Sequence, residues 1–156
     1  MLIILRNILI LSFLFTTNCG FKVLNKNEIN FTVSEIKIEG DKRTGFKIRN
    51  NLISKLQKDK SNGVVIKIST QQNKSIKEKN IKNEITKYSI ELITEAEFNL
   101  VNQEKTFKLN FNVTGFYLAA TNNSTTLSNE KSLIDNLVEE LSEKLINEIS
   151  FTLNDN

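Results

Sequence analysis

TKYSIELITEAEFNLVNQEKTFKLNFNVTG, residues 86–115, holds the clearest pattern in the chain. In its first half Tyr88, Ile90, Leu92, Ala96, Phe98 and Leu100 fall on even positions, while Lys87, Glu91, Glu95 and Glu97 fall on odd ones. Side chains alternate across a strand with a period of two, so this is a strand with one face in a core. After a polar turn around Asn102 to Lys105, Phe107, Leu109, Phe111 and Val113 alternate with Lys108, Asn110, Asn112 and Thr114. Two such runs joined by a short polar turn predict a long antiparallel hairpin, with Gly115 marking a bulge.

Upstream, Val64, Ile66 and Ile68 begin another strand with one apolar face. Before it, Ile29, Phe31 and Val33 alternate and then shift phase to Ile36 and Ile38, a strand with a bulge or bend near Ser34. Between these two strands Thr44 is the expected N-cap of a helix carrying Ile48, Leu52, Ile53 and Leu56 to about Lys58. Residues 71–85 are polar and rich in lysine, broken only by Ile76, Ile81 and Ile85, and are expected to form a long loop. Downstream, a second polar loop covers residues 121–129, and Ser128 caps a helix to about Phe151. Leu133, Ile134, Leu137, Val138, Leu141, Leu145 and Ile149 form its apolar stripe. The expected fold is α+β: a four-stranded, mostly antiparallel sheet with two α-helices packed on one face, in a single domain over residues 29–153.

The N-terminus reads differently. Arg6 precedes an apolar run over residues 8–15, and Thr16, Thr17 and Asn18 lead into Cys19, the only cysteine in the chain. That run has the length of a signal h-region and falls far short of the roughly 18 residues a spanning helix needs. Residues 1–18 are therefore expected to be a lipoprotein signal peptide, with Cys19 the lipidated first residue and 19–28 a polar tether. Asn18 is bulkier than the Gly, Ala or Ser usual before such a cysteine. Gly20 after the cysteine, in place of an acidic residue that favours inner-membrane retention, agrees with the outer membrane.

Composition excludes several functions. The chain has no histidine, and its one thiol is committed to lipid, so the mature domain offers neither zinc ligands nor an imidazole or thiol for catalysis. No Gly-rich phosphate loop is present, no cofactor is expected, and Glu95 with Glu97 reads as a solvated strand face rather than a catalytic pair. Net charge is +3, and +2 once Arg6 leaves with the signal, too little to argue for nucleic acid. Its distribution says more. Residues 41–60 carry seven Lys/Arg against two Asp, while residues 128–150 carry six acidic residues against two Lys. The two helices either lie side by side and neutralise one another, Arg43 and Arg49 pairing with acids such as Glu140 or Glu143, or the basic helix meets an anion. On the second reading Lys42, Arg43, Lys47 and Arg49, with Lys74, Lys77, Lys79 and Lys82 of the lysine-rich segment, are candidate contacts. Arg43 and Arg49 are the only arginines of the mature chain, and a guanidinium fork suits carboxylate and phosphate.

Cys19-Gly20-Phe21, Asp41-Lys42-Arg43-Thr44-Gly45 and Arg49-Asn50-Asn51-Leu52 together resemble the opening and first helix of the LptE family of lipopolysaccharide-assembly lipoproteins. The hairpin beginning Thr86-Lys87-Tyr88 and the closing amphipathic helix are similar in order and length. The resemblance implies a non-enzymatic lipoprotein of the cell outer membrane, lipid-anchored and facing the periplasm, which partners an LptD-like outer-membrane β-barrel and lipopolysaccharide. It assigns no role to the arginines. The alternative is a free-standing periplasmic lipid- or transport-associated binding lipoprotein.

Overall fold

The computed structural model describes residues 30–101 and 105–155. The expected signal peptide, Cys19, the expected tether and Ile29 lie outside the described residues. Six elements follow in order: β1 (Val33–Gly40), α1 (Lys42–Lys55), β2 (Val64–Lys79), β3 (Ile85–Leu100), β4 (Phe107–Leu118) and α2 (Asn123–Asn154). The sheet order is β1-β2-β3-β4, with β1 parallel to β2 and the other pairs antiparallel. The α+β class, the four strands and the two helices are those expected.

The alternation read in the hairpin is the face assignment of the sheet. Ile90, Leu92, Ala96 and Phe98 are fully buried; Phe98 and Ala96 lie opposite Ile66 and Ile68 of β2, and Leu92 lies opposite Val113 of β4. Over this face α1 packs on β1 and β2, α2 packs on β4 and β3, and the helices pack on each other. Ile48 and Leu52 of α1 and Leu141, Leu145 and Ile149 of α2 complete the core. The phase shift near Ser34 is real, as the β1–β2 register slips between Val33 and Glu35. Gly40 ends β1 with φ +73°, and an added Cβ there would strike the Thr70 carbonyl oxygen, so this corner requires glycine.

Four expectations are corrected. Residues 71–85 are not a loop: β2 runs on to Lys79, paired with β3 from Gln71↔Ile93 to Ile76↔Tyr88 before a bulge at Ile76/Glu78. The strand persists because β3 offers backbone partners whatever side chains β2 carries. A short turn closes it, in which the Asn80 side chain accepts from the amides of Lys82 and Glu84, both at 2.9 Å, and Asn83 takes φ 63°. Asp41, not Thr44, caps α1, its carboxylate accepting from the Thr44 amide at 2.8 Å. Asn122, not Ser128, caps α2, so most of the expected loop over residues 121–129 is helix. Gly115 marks no bulge, since the β3–β4 register is continuous there; its missing side chain leaves room for Leu133 of α2.

Candidate functional site

The basic residues fall into two groups. The first lies on α1. Lys47 Nζ is 2.6 Å from Asp135, and Lys55 Nζ lies 3.5 Å from Glu143 and 3.8 Å from Glu139, so the helices do lie side by side with opposite charges in register. The expected pairing of Arg43 and Arg49 with Glu140 or Glu143 does not form. Glu140 pairs with Lys144 instead, and among the described residues neither arginine forms an ion pair. Arg43 is exposed and Arg49 half-buried. With Lys42, Lys47 and Gln72, Arg43 lines a groove of about 370 Å³ whose far wall is Glu130 of α2.

The second group lies along β2 and its turn. Lys74 points to the helix side of the sheet, where its ammonium is 2.6 Å from Glu130 and sits 4.7 Å and 5.5 Å from the Tyr88 and Tyr117 ring centres. The two rings stack at 5.3 Å, and the Tyr117 hydroxyl donates to Glu130 at 2.8 Å. Partial burial pushes the Glu130 carboxyl up, but the bonds from Lys74 and Tyr117 outweigh it and hold it below the usual range. Burial lowers the Lys74 ammonium, and the same partners more than reverse this. Lys74 is thus a structural cation. Lys77 covers the Phe116 ring at 5.2 Å, and Lys79 donates to Asn83 at 3.1 Å. The Lys82 ammonium is exposed and has no partner among the described residues. Around these lysines Ile81 is fully exposed, and Ile76, Phe116 and Leu118 are about half exposed, so the far end of the sheet is both cationic and apolar.

The structure therefore separates the eight candidates. Lys47 and Lys74 are committed to α2, Lys77 to Phe116 of β4 and Lys79 to the β2–β3 turn, and among the described residues Lys42, Arg43, Arg49 and Lys82 remain available to an anion. The Lys74–Glu130–Tyr117–Tyr88 cluster escaped sequence reading, because its ion pair joins positions 56 residues apart. One signal was present: the chain's only two tyrosines both stand on core-facing positions. Among the described residues no group of three or more acidic, Cys or His side chains could hold a metal ion, and no helix is long and apolar enough to cross a membrane.

The LptE family profile, described as lipopolysaccharide-assembly, matches residues 30–149, nearly the whole described domain. The chain belongs to the LptE family. No curated protein matches it in sequence. Among solved structures it is similar to the rare lipoprotein B from Shewanella oneidensis, with TM-score 0.59 and 13% identity over 78% of this chain and 97% of that one. A protein of Caulobacter crescentus described as a lipoprotein gives TM-score 0.59 and 13% identity over 79% and 90%. Lipoprotein B from Nitrosomonas europaea gives TM-score 0.53 and 13% identity over 80% and 86%. At this identity the likeness is one of fold alone.

Proposed function

We propose that this LptE-family chain is a lipid-anchored, non-enzymatic subunit of lipopolysaccharide assembly at the outer membrane, working with an LptD-like β-barrel. In this reading residues 1–18 are removed as a signal peptide, Cys19 carries the lipid, and residues 19–28 tether the domain of residues 29–153 on the periplasmic side. Arg43 and Arg49, with Lys42 and with Lys82 of the β2–β3 turn, meet the phosphate or acidic sugar groups of lipopolysaccharide or acidic positions of the barrel. The observation that carries it is the contrast along α1: Lys47 and Lys55 have carboxylate partners on α2, while Arg43 and Arg49, on the same helix, have none among the described residues. Arg43 is exposed and Arg49 partly so, and a guanidinium fork presents paired donors that suit a carboxylate or phosphate. The exposed Ile81, Phe116 and Leu118 beside Lys77 and Lys82 give the far end the mixed character an anionic amphiphile requires.

Changing both arginines to Gln tests this. The double variant should melt within about 1 kcal/mol equivalent of the parent, as exposed charges do, while capturing several-fold less lipopolysaccharide or barrel in a salt-dependent way. Loss of stability with full capture would make the arginines structural. Cys19→Ser should release the chain from salt-washed membranes, since burial of acyl chains contributes roughly 0.8 kcal/mol per CH₂ and the folded domain offers no comparable anchor. A stable complex with a barrel supports the proposal, and a monomer carrying extracted lipid supports a free-standing binding lipoprotein.

A further inference from the structure

β1 and β2 begin together but do not end together. The last pair is Gly40↔Thr70, after which the chain turns away into α1, the Asp41 amide donating to the Thr70 carbonyl at 2.7 Å. β2 continues for nine residues with β3 on one side and, among the described residues, no strand on the other. The direction of its free groups follows from the part that is paired. Val64 N–H donates towards β1, to the Thr32 carbonyl at 2.8 Å, and the β2–β3 register runs without a shift from Val64 to Ile76. Backbone groups alternate sides along a strand, so the N–H and C=O of Gln72, Lys74 and Ile76 face the same open side as those of Val64.

Sheet edges are usually guarded by charges, proline or a bulge. Here the guards start late. The bulge falls at Ile76/Glu78, with Lys77 and Lys79 beside it, and from Gln71 to Ser75 the side chains are Gln, Gln, Asn, Lys and Ser. The single charge, Lys74, is turned onto Glu130 and the tyrosine rings. A groove flanks the notch on each face: one of about 370 Å³ on the helix side, where Lys42 and Arg43 stand with Asp41 and Glu130, whose carboxylates are taken by the Thr44 amide and by Lys74, and one of about 460 Å³ on the open side, with Asp41, Ser69, Gln71 and Glu95. A strand laid on this edge would extend the line of β1. Alternate side chains would enter the two grooves, acidic ones beside Lys42 and Arg43 and small polar ones beside Glu95.

We propose that residues 71–76 of β2 form a docking edge for an extended segment of a partner protein, which adds to the sheet in line with β1 and places an acidic side chain against Arg43. This rests on the proposed reading only in requiring a protein partner. Main-chain bonds supply the affinity in such strand addition, and the side-chain grooves supply the choice of segment.

The test uses the full chain in its native membranes, with a photoreactive benzophenone side chain in place of Asn73 or, separately, Ser75, and in place of Asn112 on the outer strand β4 as a control. Adducts from positions 73 and 75 are expected two residues apart, within one segment of one partner that carries an acidic residue. Gln72→Pro, which removes an outward N–H while keeping an extended φ, should lower the yield at least tenfold. Gln72→Ala loses the same side-chain bond from Thr44 and should leave the yield unchanged. Should the proline variant not fold, amide exchange on the purified parent complex decides instead. Gln72 and Lys74 amides at least tenfold slower than in the free chain support the edge, and equal rates overturn it. Adducts to a second copy of this chain, to lipid alone, or only from position 112 also overturn it. A co-purifying partner without edge adducts sinks this proposal alone, whereas no protein partner at all sinks it together with the barrel partnership.

Discussion

The β2–β3 hairpin is built in two ways along its length. In the half next to β1, Ile66 and Ile68 face Phe98 and Ala96 across the strand pair, all fully buried beneath the helices. In the far half Gln72, Lys74 and Ile76 face Leu92, Ile90 and Tyr88, and only β3 contributes apolar side chains that are well covered. The near half is held by burial. The far half is held by backbone pairing and by one cation seated over two tyrosine rings, with Glu130 of α2 as its counter-charge. An apolar face is therefore a sufficient sign of a strand and not a necessary one: a strand with a committed neighbour can be polar on both faces.

The sharpest way to break this contrast is to truncate one apolar residue in each half. Phe98 is fully buried and stacks on Phe107 at 5.1 Å, so Phe98→Ala should cost about 3–5 kcal/mol in urea unfolding. Ile76 is half exposed, and Ile76→Ala should cost no more than about 0.5 kcal/mol. Equal losses would mean that both halves depend on burial.

An intermediate effect is expected where α2 crosses β4. A Cβ at Gly115 would lie 2.5 Å from a Leu133 methyl carbon, so Gly115→Val should cost about 1–3 kcal/mol through overpacking. Combining it with Leu133→Ala should recover part of that loss. A Gly115→Val chain as stable as the parent would show that α2 can lift off without penalty.

The smaller test concerns the cation. Glu130→Gln should cost about 1–2 kcal/mol near neutral pH, the usual range for a charge-assisted bond. Because the carboxyl is held below about 4.5, its contribution is complete above that value and is lost as pH falls through the lower folded value. Lys74 is raised, so its share persists below about 10.5 and disappears as pH rises through the folded value. The gap in stability between parent and variant should hence be flat between about pH 5 and 10 and narrow on either side. A gap that stays constant down to pH 2.5 would remove the ion pair from the account.

What was legible in the sequence follows the same division. Every element with an apolar period was found, with its inward face: β3, β4, the first half of β2, and the stripes of both helices. The far half of β2 has the sequence of a loop because its pairing is set by a neighbour, not by its own residues. The starts of both helices were misplaced for a related reason. Residues 123–128 extend α2 beyond its apolar stripe, with Leu127 exposed; the capping side chain Asp41 sits a turn ahead of Thr44, the first buried residue of α1, and Asn122 sits several turns ahead of Leu137, the first buried residue of α2. Among the site residues, the two arginines stood out through their chemistry, whereas the role of Lys74 depends on Glu130 and is invisible without the fold.

The parallel pairing of β1 has a consequence for the order of folding. β2, β3 and β4 are joined as consecutive antiparallel neighbours, whereas Val33 must find Val64, 31 positions later, with a helix between them. Closing that loop costs more chain entropy than closing either hairpin, so the three-strand meander is expected to assemble first and to serve as the template for β1 and α1. Synthesis delivers these elements in the opposite order. Until β2 and β3 have emerged, the amphipathic helix α1 and the strand before it have no surface to cover, and a holding factor or a slow release of the nascent chain would guard Ile48 and Leu52 from premature association.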